Sequence, residues 1–169
     1  MREQRAQPID PPAIACLPQR FPVIDGIAPE LARGAETAMH ALVAARLGDS
    51  DLAKRYFEQA VAIDLADNHT TIAAGLHMAA LGGTWLTAVF GFAGLSLRSN
   101  AIAFDPKLPT GWRTLKFGIQ WRGRHLRIGI DAAERLLHAT LEAGDRMAVF
   151  VNDQCQNVQC DTAIVCPLA

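Results

Sequence analysis

No Asp, Glu, Lys or Arg occurs between Thr70 and Leu97. A surface helix keeps a polar face, so this run is not an ordinary amphipathic helix. Charge imbalance is missing too: the 169-residue chain has a formal net charge of -1. Near-neutrality gives no electrostatic reason to expect nucleic acid or an anionic lipid surface as partner. The nearest thing to a basic patch, "KFGIQWRGRHLR", alternates charges with apolar residues, as a solvated strand face does. The stretch "MREQRAQPIDPPAIACLPQRF" has no continuous apolar core and is broken by prolines, so it reads as a linker or poorly ordered arm over residues 1–28 and not as a signal peptide. Cys16, Cys155, Cys160 and Cys166 form no CxxC pair and have no histidine close by. A zinc site is therefore not expected, and reduced thiols of a cytoplasmic protein are.

What is present begins with helices. With 50% hydrophobic residues the chain has enough apolar material for a core. "PELARGAETAMHALVAARLGD" places Leu31, Ala35, Ala38, Met39, Leu42 and Val43 at helical spacing, with Gly48 just past the end. "SDLAKRYFEQAVAIDLAD" follows, capped by Ser50 or Asp49, with Leu52, Tyr56, Ala60 and Ile63 on one face. The short connection makes an antiparallel helical hairpin. The charge-free run, "AAGLHMAALGGTWLTAVFGFAGLSL" from Ala73 to Leu97, reads as a third helix. It is long enough to cross a bilayer. Its five glycines, and Asp64 and Asp67 where basic flanks would be needed, argue instead for a helix enclosed by other helices, with no membrane contact.

The period then changes from helical to two. "TLKFGIQWRGRHLRIGI" puts Leu115, Phe117, Ile119 and Trp121 on one face, and Leu126, Ile128 and Ile130 continue past a turn at Gly123, a β-hairpin signal. "AIAF" before it is a short strand. "ERLLHATLEAGDRMAVFVND" reads as two more strands, although "DAAERLLHATLEA" would also suit a helix. Helices followed by strands give an α+β fold: a helical segment over 29–97, a β domain over 98–152 and a tail over 153–169.

Three stretches in this order, "ALVAARLGDSDLAKRYFEQAVAIDLAD", "AAGLHMAALGGTWLTAVFGFAGLSL" and "IAFDPKLPTGWRTLKFGIQWRGRHLRIGI", resemble the C-terminal part of glycoside hydrolase family 65. That family holds maltose, trehalose, kojibiose and nigerose phosphorylases and a few hydrolases. The resemblance implies helices from the end of an (α/α)6 barrel followed by a small C-terminal antiparallel β-sandwich, with the charge-free helix in the inner ring. It also implies inverting phosphorolysis of an α-glucosidic disaccharide to β-glucose 1-phosphate, with inorganic phosphate as co-substrate and no cofactor. The "G-[IL]-H" motif, matched by Gly75, Leu76 and His77, resembles a phosphate-contacting site. Thr70 and Thr71 add hydroxyls at a helix N-terminus, where free N–H groups and the helix dipole attract anions. The plainer alternative is that Thr70 or Thr71 caps the helix and His77 is a core histidine.

The family's general acid glutamate lies upstream of everything matched here, so no catalytic residue is assigned. The serine-rich stretch that relatives carry before "ALVAARLGD" reads "IAPELARGAETAMH" in this chain. The chain is thus expected to be inactive by itself, its apolar helix covered by the remainder of a barrel or by a second copy. Two other readings are a non-catalytic relic or interaction domain of the same fold, and a tetratricopeptide-like helical module. The module would require a second copy of "LGDSDLAKRYFEQAVAIDLADN" at a period of about 34 residues, and none is visible.

Overall fold

The computed structural model describes residues 29–65 and 78–168. The arm read over residues 1–28 lies outside them. Helix α1 (Pro29–Leu47) and helix α2 (Ser50–Leu65) form the expected hairpin. Gly48, at φ +88°, closes α1: its N–H donates to the Ala45 carbonyl and the Asp49 N–H to the Ala44 carbonyl. Asp49 is the cap of α2, its carboxylate accepting from the Leu52 N–H at 3.0 Å.

Helix α3 (Met78–Leu86) continues as a π-helical turn over Thr87–Phe92. It packs along α1 in the same direction through small residues: Gly83 meets Ala38, and Gly91 meets Ala45 and Leu42. Thr87, fully buried, donates to the carbonyls of Ala38 (2.8 Å) and Gly83 (2.9 Å), tying the two helices together. This close approach decides which side of α1 is covered. Ala38, Ala41, Ala44 and Ala45 are buried, whereas Met39 and Val43, grouped with Ala38 by periodicity, are exposed.

The helix stops at Phe92 and not at Leu97. Gly94 takes φ +64°, and a Cβ there would collide with the carbonyl of Asp105, so the chain turns on the one residue without one. Ser96–Leu97 form strand β1, which pairs with β2 (Ala101–Phe104). The remaining strands are β3 (Thr114–Trp121), β4 (Arg124–Asp131), β5 (Leu136–Ala143), β6 (Met147–Val151), β7 (Gln154–Val158) and β8 (Ala163–Pro167). They build two four-stranded sheets, ordered β1-β2-β6-β7 and β3-β4-β5-β8.

All pairings but one are antiparallel; β2 and β6 run parallel. Parallel neighbours need a long crossover, and here β3, β4 and β5 of the other sheet supply it. Residues 153–169, read as a tail, contribute β7 and β8, one edge strand to each sheet. The ambiguous "DAAERLLHATLEA" resolves as a turn and a strand. The Asp131 carboxylate accepts from the N–H groups of Ala133 and Glu134, and Leu137, Ala139 and Leu141 then point inward at a period of two. The β3–β4 hairpin turns through Arg122 and Gly123, both at positive φ, as a two-residue hairpin requires.

The sandwich core joins Ile102, Phe104, Leu126, Ile128, Ile130, Leu137, Leu141 and Val149 between the sheets. Val89 of the π-helical turn and Ala93 just after it enter the same cluster, so the end of α3 is part of that core. A second joint forms where Phe57, Phe92 and Trp112 meet edge to face, with ring centroids 5.1–5.5 Å apart.

Candidate functional site

The residues expected to hold phosphate, Thr70, Thr71, Gly75 and His77, lie outside the described residues. What the structure gives is the frame that carries them. Among the described residues helix α3 begins at Met78, next in sequence to His77, and runs beside α1 from the Ala38 level to the Ala45 level. Its Met78 end therefore lies toward the start of α1 and the end of α2, and its Phe92 end lies in the sandwich core. Fifteen helical residues separate the two ends, about 20 Å at 1.5 Å per residue. The sandwich braces the far end of this helix and is remote from its amino end.

The frame is closely packed where it is braced and exposed where it is not. No charged side chain sits on Met78–Phe92, and its two threonines bond to backbone: Thr84 to the Leu81 carbonyl at 2.7 Å, and Thr87 as above. Around the amino half the apolar surface is uncovered. Met78 is 72% exposed and Trp85 48%, and α1 shows Met39, Val43 and Leu47 at a spacing of four. Exposed apolar stripes on neighbouring helices mark surfaces built to be covered. Periodicity alone hid the α1 stripe, because Met39 and Val43 look like core residues until the packing of Gly83 on Ala38 is known.

Among the described residues no group of three or more His, Cys, Asp or Glu is placed to hold a metal ion. Cys155 and Cys160 are exposed free thiols, and Cys166 lies in the sandwich core, where burial pushes its thiol pKa up. No described helix is long and apolar enough to cross a membrane.

Comparison with known proteins fits this division of the chain. Residues 34–86 match the central catalytic domain of glycosyl hydrolase family 65, and residues 95–158 match the C-terminal domain of the same family. A kojibiose phosphorylase of Halothermothrix orenii is 41% identical over 117 residues, covering 69% of this chain and 14% of that protein. An alpha,alpha-trehalose phosphorylase of Geobacillus stearothermophilus is 37% identical over 95 residues, covering 56% and 12%. The chain thus spans about one seventh or less of these relatives. A solved structure named as a candidate kojibiose phosphorylase from the human microbiome superposes with a TM-score of 0.69 over 80% of this chain and 20% of its own, at 20% identity, which speaks for the fold. The two domain matches fall in chain order on the helices and on the strands, and the chain belongs to glycosyl hydrolase family 65, as part of the central catalytic domain joined to the C-terminal domain.

Proposed function

We propose that these residues form the end of the helical barrel and the C-terminal sandwich of a disaccharide phosphorylase. The observation that carries the reading is the ordered match to both domains of one family, with phosphorylases among the relatives. The reaction is phosphorolysis of an α-glucosidic disaccharide with inversion, giving β-glucose 1-phosphate and a sugar. A carboxylic acid protonates the leaving oxygen, and phosphate attacks the anomeric carbon where an inverting hydrolase would place an activated water. Phosphate then needs donors beside that carbon. We assign His77, Thr70 and Thr71, with the backbone N–H groups near Gly75, to that role at the amino end of α3.

The acid lies in another part of the central domain, so this stretch alone does not turn over substrate. The exposed stripes on α1 and α3 support the need for further helices. The three free thiols among the described residues suit a cytoplasmic setting.

The test joins this chain, in one polypeptide or by co-expression, to the remainder of a family 65 central domain. Phosphate-dependent release of glucose 1-phosphate from trehalose, kojibiose or maltose is then measured. Activity should appear only in the complete assembly. In that assembly His77→Ala should raise the KM for phosphate roughly tenfold or more, the worth of a charge-assisted hydrogen bond, and leave disaccharide affinity within about twofold. Equal losses in both would remove His77 from the phosphate site. A properly assembled but inactive complex would favour a non-catalytic role for this chain.

A further inference from the structure

The solvent face of the β3-β4-β5-β8 sheet carries a trough of about 680 Å³, within the size range of small-ligand sites. Its floor is open because glycines stand where side chains would fill it. Gly129 pairs with Lys116 on one side and His138 on the other, and Gly118 pairs with Arg127, whose other neighbour is Thr140. A Cβ at Gly129 would meet only ordinary contacts, 3.9 Å from Lys116 Cγ and from His138 Cβ, so the fold does not demand glycine there.

The groups around the floor are unequal in what they have left to offer. Both carboxylates are engaged: Glu142 accepts from Arg127 Nε at 2.6 Å, and Asp131 caps its own turn. Lys116, His138 and Thr140 have no partner among the described residues, and the terminal guanidinium nitrogens of Arg127 are unused. The formal charges of the lining cancel, Lys116 and Arg127 against Asp131 and Glu142, and the hydrogen-bonding capacity left over is mostly donor. Phe117 belongs to the inward face of β3, and among the described residues no Phe, Tyr or Trp side chain other than that one borders the trough.

We propose that this trough binds a small phosphorylated ligand, a phosphomonoester on a body the size of a sugar. The oxyanion would sit on the glycine floor between Lys116 and Arg127, with His138 and Thr140 donating from β5. This site is separate from the phosphate role assigned to His77 and does not depend on it.

Titration of the 15N-labelled 169-residue chain with inorganic phosphate, glucose 1-phosphate and glucose tests the proposal. Saturable shifts of the Gly118, Gly129 and Thr140 amides are expected with the two phosphates, tighter with the sugar phosphate, and not with glucose. Lys116→Glu and the floor-filling Gly129→Val should each weaken binding about tenfold or more with signal dispersion intact. His77→Ala should leave these shifts unchanged. No saturable shift, equal shifts with glucose, or unaltered affinity in Lys116→Glu would overturn the proposal. Shifts lost only in His77→Ala would overturn it while supporting phosphate at the helix.

Discussion

Gly94 is the residue on which the passage from helix to sheet depends. Its φ of +64° and the Asp105 carbonyl against its Cα leave no space for a side chain. Gly94→Ala should lower stability by about 2–4 kcal/mol, combining left-handed strain with a backbone clash, seen as a shift in urea midpoint at constant m-value. Thr87 is the second such position. Thr87→Val keeps the shape but removes the donor that two carbonyls share, and should cost about 1–3 kcal/mol. The thiols form a third, chemical contrast. Cys155 and Cys160 should react with iodoacetamide in the native protein, whereas Cys166, buried and with its pKa raised, should react only on unfolding. Comparable labelling rates for all three would place Cys166 outside the core.

Strands announced themselves better than the ends of elements. The alternation in β3 and β4 reads directly from Leu115 to Ile130, because one face of β4 is buried and one face of β3 half-buried while the other faces are more exposed. The end of α3 was not legible: "GFAGLSL" continues the apolar run, and only the Asp105 carbonyl against Gly94 ends the helix there. β7 and β8 were hidden for a different reason. As edge strands with mostly exposed side chains, they lack the alternation that marks a half-buried strand. Gly75 and His77 were singled out for phosphate by family resemblance, since neither period nor charge distinguishes a ligand-binding histidine from a buried one, whereas Thr70 and Thr71 came from the expected helix start. The joint between layers was equally invisible, because Phe57 and Phe92 come from two helices and Trp112 from the loop before β3. Phe92→Ala should cost about 3–5 kcal/mol, the range for deleting a buried phenyl ring. Loosened packing of the helices on the sandwich should also show as faster hydrogen exchange in both.

At the scale of the molecule the two layers differ in how finished they are. The sandwich closes a core of its own, with Leu126, Ile128, Leu137, Leu141 and Val149 at 0–1% exposure. The helical layer buries mainly alanines and leaves Met39, Val43, Met78 and Trp85 in solvent. Apolar area exposed on helices costs about 25 cal/mol per Å² relative to burial, so association should relieve it. The isolated chain is expected to self-associate as concentration rises, measured by light scattering. Val43→Glu with Trp85→Glu should shift it toward monomer and lower the urea midpoint only modestly, since Trp85 is half exposed and loses one edge-to-face contact with Phe90. The same pair should prevent assembly with the remainder of a family 65 central domain, because a carboxylate buried without a partner in a helix interface costs several kcal/mol. A double variant that assembles normally would show that these stripes face solvent in the complete assembly, and the cover for α3 would have to be sought on another side.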